Sequence, residues 1–407
     1  MRLTAWPIPL AILGGTPRFN RDFHVGAPNI GDRKALSRRL DDALDRRWLS
    51  NNGPLVKEFE RRIAEIAGVP HCIAVCNATV GLEVAAHALG LSGEVIVPSF
   101  TFVATAHSLA WLGLTPVFCD IDPDTHNLDP DQVEKLIGPR TSAILGVHLW
   151  GRGCVPERLE AIAAKHGLAL MFDAAHAVAC SAGGRMIGGF GDLEVFSFHA
   201  TKFVNCLEGG AILCRDDALA AKIRRLINFG FAGYDQVSDL GINGKMNEFS
   251  AAMGLTSLEA IDGIVAHNRD NWRLYRDELA DLPGVSIASY DEAERQNYHY
   301  VVCEVDEAAA GLSRDAIIAA LWAERVIARR YFHPGCHAME PYRSKDPSAG
   351  ERLPATLRVA GRVLLLPNGQ AVSGDDVRAC CALIRQILAQ REEVAAHFAA
   401  NPPQLGR

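Results

Sequence analysis

The stretch LALMFDAAHAVACSAGGRMIGGFGDLEVFSFHATKFVNCLEGGAILC (residues 168–214) carries three apolar runs: LALMF (168–172), EVFSF (194–198) and GAILC (210–214). Each is nearly continuous in apolar residues rather than alternating, the pattern of a strand covered on both faces. Four similar runs precede them: CIAVC (72–76), EVIVP (94–98), PVFC (116–119) and AILGV (143–147). Helical patterns lie between several of these runs, at Thr79–Leu89, Thr101–Trp111 and Pro156–His166. Strand, helix, strand in repetition predicts an α/β fold with a largely parallel sheet and helices on both faces.

Upstream, Leu55, Phe59, Ile63 and Ile66 form one apolar stripe, with Gly68 as the stop of that helix. Downstream, Asn247 caps a helix running to about Leu258, and a second helix runs from about Asn268 to Leu282, ended by Pro283 and Gly284. The pattern then changes. VSIAS (285–289), YHYVVCEV (298–305), VIARR (326–330) and RVLLLP (362–367) read as strands, with helices around Arg314–Glu324 and Ser373–Gln390. Ser373 with Asp375 and Asp376 is a good acidic helix start. This predicts two units: an N-terminal segment with a large domain over 1–264, and a small C-terminal α+β domain over 265–407. Residues 334–354, rich in Pro, Gly and charge, read as an exposed loop, and the tail after about Phe398 as frayed.

The chain has 407 residues, 49% hydrophobic and 22% charged, which permits a large core and excludes global disorder. Lys+Arg number 41 against 48 Asp+Glu, a formal net charge of −7. Such a balance offers no basic face for nucleic acid or anionic membrane. The eleven cysteines are an odd number, mostly in apolar runs and without a CxxC. A reduced, cytoplasmic protein is expected from them, with no metal site. No apolar run reaches the roughly 18 residues of a membrane span. The start MRLTAWPIPLAILGG carries one Arg and is interrupted by Pro7 and Pro9, which argues against a signal peptide.

Functional residues are expected outside the carboxyl ends of parallel strands. Asp173 directly follows LALMF, and Lys202 lies just beyond EVFSF. The turn CNATVG (76–81) follows the first strand and opens a helix, and PSFTFVATAH (98–107) follows the second. A lysine so placed can form a Schiff base with an aldehyde cofactor when desolvation frees its amine. Pyridoxal 5'-phosphate would then need a carboxylate at its ring nitrogen, backbone amides at a helix start for its phosphate, and a flat face for its ring. Asp173, the Ala78–Thr79 helix start and Phe102 supply these in turn, with Ser197 adding a hydroxyl. Singly, each has a plainer reading: a solvated lysine, a turn-capping aspartate, a core phenylalanine, an ordinary helix start, and, for His176, a core histidine. One cofactor needs all the parts at once, and that favours the combination. No GxGxxG or P-loop string is present.

From about residue 23 to 400 the sequence resembles the DegT/StrS family of pyridoxal-phosphate sugar aminotransferases. The resemblance is carried by WLSNNGPLVKEFE, EVIVPSFTFVATAHS, PVFCDIDPDTHNLDP, TSAILGVHLWG, FDAAHAVAC, GGFGDLEVFSFHATKFVNCLEGGA and GINGKMNEFSAAMGL. SFHATKFVN and NFGFAGY look most like nucleotide-sugar 4-aminotransferases of antibiotic deoxysugar pathways. The resemblance implies the aspartate aminotransferase-like fold (fold type I), with a mostly parallel seven-stranded sheet. It also implies a homodimer with shared active sites. The implied cofactor is pyridoxal phosphate, cycling through pyridoxamine phosphate, with glutamate as donor and a dTDP-4-keto-6-deoxy sugar as acceptor. A 3-keto-sugar nucleotide is the alternative acceptor, and a non-enzymatic regulator on the same scaffold the alternative class.

By motif match Lys202 is the Schiff-base lysine, Asp173 the pyridinium partner, and His176 the neighbour of the phenolic oxygen. Phe102 matches the stacking aromatic, and Ala78, Thr79 and Ser197 the phosphate contacts. Asn243 matches an asparagine reaching the phosphate from the other subunit. One branch of the family carries His in place of the lysine and dehydrates; Lys202 keeps this chain with transamination. Two departures stand out: Gly244–Lys245 where many members have Tyr-Arg, and His176 where many have Gln. For the acceptor's diphosphate, Arg185, Lys245, Arg329, Arg330 and His333 are candidates by position, with solvated surface charge as the other reading of each.

Overall fold

The computed structural model describes residues 8–403 and 405. The first seven residues of the N-terminal stretch read against a signal peptide, and 404, 406 and 407 of the tail, lie outside the described residues.

All seven apolar runs are strands of one sheet: β1 His71–Val75, β2 Glu94–Pro98, β3 Thr115–Cys119, β4 Thr141–Val147, β5 Ala169–Asp173, β6 Leu193–Ser197 and β7 Gly210–Cys214. The strand order is β1-β7-β6-β5-β4-β2-β3. Six strands run parallel. β7 is antiparallel to both its neighbours, pairing Gly210 with Val75 and Ser197. Its reversed direction brings its first residue to the edge where the other six strands end. Gly210 is required there, because a Cβ would lie 2.7 Å from the Ala78 nitrogen. The inward residues Ile96, Ile144 and Phe172 pack on one face, and Val95, Leu145 and Met171 on the other. Burial on both faces is why these strands read as continuous apolar runs.

Helix Pro54–Ala67 buries Phe59 and Ile63 completely and ends at Gly68, whose φ of 66° is the left-handed stop. Its N-cap, Gly53, has no side chain to offer. The carboxylate of Glu248 accepts from the Leu55 and Val56 amides instead. Asn247 caps helix Glu248–Glu259 as expected, its side chain accepting from the Ser250 amide. The next helix begins at Ile261, seven residues earlier than predicted, and ends at Leu279. Ile264 packs in the first core, and Trp272, Tyr275 and Leu279 in a second. One continuous helix therefore crosses the position where the sequence divides the two units.

The second core surrounds an antiparallel sheet of β8 Val285–Ile287, β9 Val301–Val305 and β10 Val363–Leu366. Ser373 and Asp376 form the capping box that opens helix Gly374–Ala389. Of VIARR only Val326–Ile327 is strand, and it pairs in parallel with Phe23–His24. The N-terminal segment, grouped by sequence with the large domain, thus docks on the small one, where Leu10 and Phe23 are core residues.

The expected exposed loop at 334–354 is a correction. Short helical turns fold it back, and Cys336, Tyr342 and Leu353 are buried. Cys336 and Tyr342 pack on Ala106 of helix Val103–Trp111. A few apolar side chains anchor a segment whose average composition is polar. The tail is helical through Ala400, beyond the predicted fraying point. Among the described residues, no single helix is long and apolar enough to cross a membrane; one pair bent by 61°, Glu248–Glu259 with Ile261–Leu279, passes together by length and composition, and its first helix is buried in the core.

Candidate active site

A cavity of about 530 Å³ opens at the carboxyl edge of the sheet. Its floor comes from strand ends and the turns after them: Asn77–Thr79 after β1, Thr101–Phe102 after β2, Val147, Asp173 and Ser197. Tyr300, Tyr331 and Phe332 close it from the small domain.

Asp173 and Lys202 both line the cavity. The Asp173 carboxylate is buried. It accepts from the Thr105 hydroxyl at 2.8 Å and from the Ala175 amide at 3.1 Å. Burial pushes its proton affinity up, while those two donors and the Lys202 charge oppose that push. Thr101 continues the chain, its hydroxyl 2.9 Å from that of Thr105. The Lys202 amine lies 3.5 Å from the Tyr300 hydroxyl. Burial lowers its pKa to about 8, with Asp173 acting in the opposite sense. Near neutral pH this lysine therefore holds a usable fraction of free amine, unlike an ordinary lysine near 10.4.

A consequence is directly measurable. Reductive methylation requires the neutral amine. In unloaded protein the rate at Lys202 is expected to rise tenfold per pH unit up to a midpoint of about 8 and then level off. Peptide mass analysis against exposed lysines reads it; a Lys202 midpoint above 10 would refute the perturbed environment.

His176 is buried against Trp150, Tyr300 and Phe332. Its Nδ1 accepts the Trp150 backbone N–H at 3.2 Å. Burial, reinforced by the Lys202 charge, holds its pKa well below the usual value. The ring is neutral, with its proton on Nε2. At the opposite end, Asn77 caps helix Ala78–Ala88 by accepting the Val80 amide at 2.9 Å. The amides of Ala78 and Thr79 have no intrahelical acceptor. They face the same cavity as the buried Ser197, a donor set suited to an anion. Phe102, 56% exposed, is the N-cap of helix Val103–Trp111 and lines the cavity rather than the core.

Thus Ala78, Thr79, Phe102, Asp173, His176, Ser197 and Lys202 are brought together. Asn243 is not: it is exposed outside its own chain's cavity, bridged through the backbone to Asn228. Nor do the five substrate candidates line it. Arg185 is ion-paired with Glu160 at 2.8 Å and stacks on Phe190. Lys245 donates to Asn228 at 2.9 Å and borders a separate cavity. Arg330 pairs with Asp315 at 3.1 Å, His333 Nδ1 contacts the Ala360 carbonyl at 3.3 Å, and the Arg329 guanidinium lies over Tyr331. Between them, Tyr331 and Phe332 are the residues that reach the cavity. Sequence reading missed these two along with Tyr300, Thr105 and Trp150. Thr105 and Trp150 lay within the quoted motifs and Tyr300 within YHYVVCEV, read only as a strand; Tyr331 and Phe332 lie just past VIARR, in no quoted run.

The cavity holds what pyridoxal phosphate requires: an amine of lowered proton affinity, a buried acid, helix-start amides without intrahelical acceptors and an aromatic rim. Comparison with known proteins agrees. Residues 31–385 match the model of the DegT/DnrJ/EryC1/StrS aminotransferase family. The chain is 36% identical to the dTDP-4-amino-4,6-dideoxy-D-glucose transaminase of Escherichia coli, over 84% of this chain and 92% of that protein. It is 31% identical to GDP-perosamine synthase of Vibrio cholerae, over 85% and 94% respectively. DesI, solved in the presence of its TDP-sugar product, is 52% identical and superposes with a TM-score of 0.91, over 96% of this chain and 99% of that one. The chain belongs to the DegT/DnrJ/EryC1/StrS aminotransferase family and is a pyridoxal-phosphate-dependent sugar aminotransferase.

Proposed function

We propose that this chain transfers an amino group from glutamate to C4 of a dTDP-linked 4-keto-6-deoxyglucose. The observation that supports an amino-transfer reading is that the partly buried amine of Lys202 and the buried acid of Asp173 line one cavity. The position and nucleotide follow the relatives in Escherichia coli and Shigella dysenteriae, both named for a dTDP-4-amino sugar, and DesI with its TDP-sugar.

In this reading Ala78, Thr79 and Ser197 would hold the cofactor's phosphate, Phe102 would cover its ring, and Asp173 would keep the proton on its ring nitrogen. His176 would present its Nε2–H to the phenolic oxygen. When bound, pyridoxal phosphate supplies the electron sink for charge developing at the donor carbon. Lys202 anchors the cofactor. Its free amine would take up and return the proton at the donor carbon. Its depressed pKa lets it act in both directions near neutral pH. Tyr300, Tyr331 and Phe332 narrow the entrance and limit water.

A homodimer completes the site. Segment 228–242 exposes Phe229, Phe231, Tyr234, Val237, Leu240 and Ile242, with Tyr234 at 98% and Leu240 at 85%. That much clustered apolar surface is a partner surface rather than a solvated one. It lies beside Asn243, which would then reach the second copy's cofactor phosphate. Sedimentation of the purified protein tests this, and a monomer at micromolar concentration would refute it.

Feeding the dTDP-4-keto sugar and a 3-keto isomer, each with glutamate, and locating the new amine by NMR tests the acceptor. The proposal expects the amine at C4; an amine formed only at C3 refutes it. A glutamate-driven change in the bound cofactor's absorption excludes a non-enzymatic regulator.

A further inference from the structure

Trp150 lies behind the site, packed against His176, Tyr300 and Phe332, which line it. Its side chain is fully buried. The indole lies nearly parallel to His176 (5.7 Å, 17°) and to Phe332 (5.4 Å, 10°), and meets Tyr300 edge-on at 5.4 Å. Its backbone takes φ 60° and ψ 9°, a left-handed conformation that disfavours a bulky residue. In that conformation its N–H points at Nδ1 of His176, 3.2 Å away. The indole is secured on the side away from the cavity. Its Nε1–H donates to Nδ1 of His126 at 3.1 Å. With that nitrogen accepting, the His126 proton sits on Nε2, which donates to Oε1 of Glu304 at 3.1 Å. His126 is itself left-handed, with φ 64°, and buried. Phe100 meets both rings edge-on. Glu304 belongs to β9, so the chain of hydrogen bonds runs from the small domain, through two strained residues, to the histidine that faces the cavity.

We propose that His126 is a positioning residue for the reaction: it clamps the Trp150 indole from behind, and Trp150 so held fixes the ring plane and Nε2–H tautomer of His176. Glu304 ties the clamp to the small domain, so the site's geometry depends on how that domain is seated. This rests on His176 facing the cofactor, as in the functional reading above.

Three substitutions separate the two bonds of His126. His126→Leu removes both. His126→Asn places an acceptor where Nδ1 was and keeps the bond from Trp150. His126→Gln reaches Glu304 but leaves the indole unheld. Affinity of the unloaded protein for pyridoxal phosphate, read by fluorescence quenching, is expected to fall about tenfold in His126→Leu, with a displaced absorption maximum for the bound cofactor. Its kcat should fall by about the same factor while KM for glutamate stays within about twofold, since the donor does not touch this clamp. His126→Asn should recover most of the affinity and the wild-type absorption; His126→Gln should not. If His126→Leu does not fold, the Asn and Gln pair carries the comparison. Wild-type affinity and spectrum in both Leu and Gln variants would overturn the proposal. So would losses that follow melting temperature alone in all three, regardless of which bond remains. Failure of the wild-type protein to take up pyridoxal phosphate would instead overturn the reading of the site itself.

Discussion

Lys202→Ala is expected to abolish covalent attachment of pyridoxal phosphate and to lower kcat by about 10⁴-fold or more, because in the proposed function one amine would serve as both anchor and proton carrier. Borohydride reduction followed by peptide mapping reads the first effect, and turnover of the sugar nucleotide reads the second. The side chain lies in a cavity and its nearest hydrogen-bond partner is Tyr300 at 3.5 Å. Its burial as a charge is unfavourable, as the lowered pKa of about 8 states. Folding should therefore tolerate its removal, and the melting temperature should hold or rise. A variant retaining a borohydride-fixed cofactor elsewhere, or more than a hundredth of wild-type turnover, would remove Lys202 from its role.

Asp173→Asn is the second large effect. Leaving one partner of a buried ion pair without the other costs roughly 3–5 kcal/mol, against about 0–1 for an exposed pair. Expressed in the transition state, that is a fall of about 10²–10⁴ in kcat. The pair meant is Asp173 with the protonated ring nitrogen. A competing explanation, that the substituted amide disturbs Lys202, predicts the opposite sign for the amine. The Asp173 charge raises the lysine's proton affinity, so removing it should move the Lys202 methylation midpoint below about 8 and leave more free amine at neutral pH. Reduced turnover together with a lowered methylation midpoint supports the assigned role. Near-normal turnover would refute it. The carbonyl oxygen of the introduced amide can still accept from the Thr105 hydroxyl, so the protein should remain folded.

The α/β architecture was legible because parallel strands buried on both faces must be apolar along their length. Each of the seven runs became a strand within about two residues of its reading. The cavity's large-domain wall was legible for a related reason. Asp173 and Ser197 end their strands, the Ala78–Thr79 helix start and Phe102 follow theirs, and parallel strands deliver all their ends to one edge. The substrate candidates failed because charge alone does not report direction. Arg185 and Arg330 face Glu160 and Asp315, which are far from them or unremarkable in sequence.

Strand identity and the placement of Lys202 and Asp173 near one sheet edge followed from the chain itself, since local periodicity and one-edge geometry involve few long-range choices. Closure of the cavity by Tyr300, Tyr331 and Phe332, the docking of 334–354, and the hydrogen-bonded route from Glu304 through His126 to Trp150 emerged only in three dimensions. These contacts join residues up to 238 positions apart, as His337 does with Ser99, and no local pattern encodes which distant faces will meet.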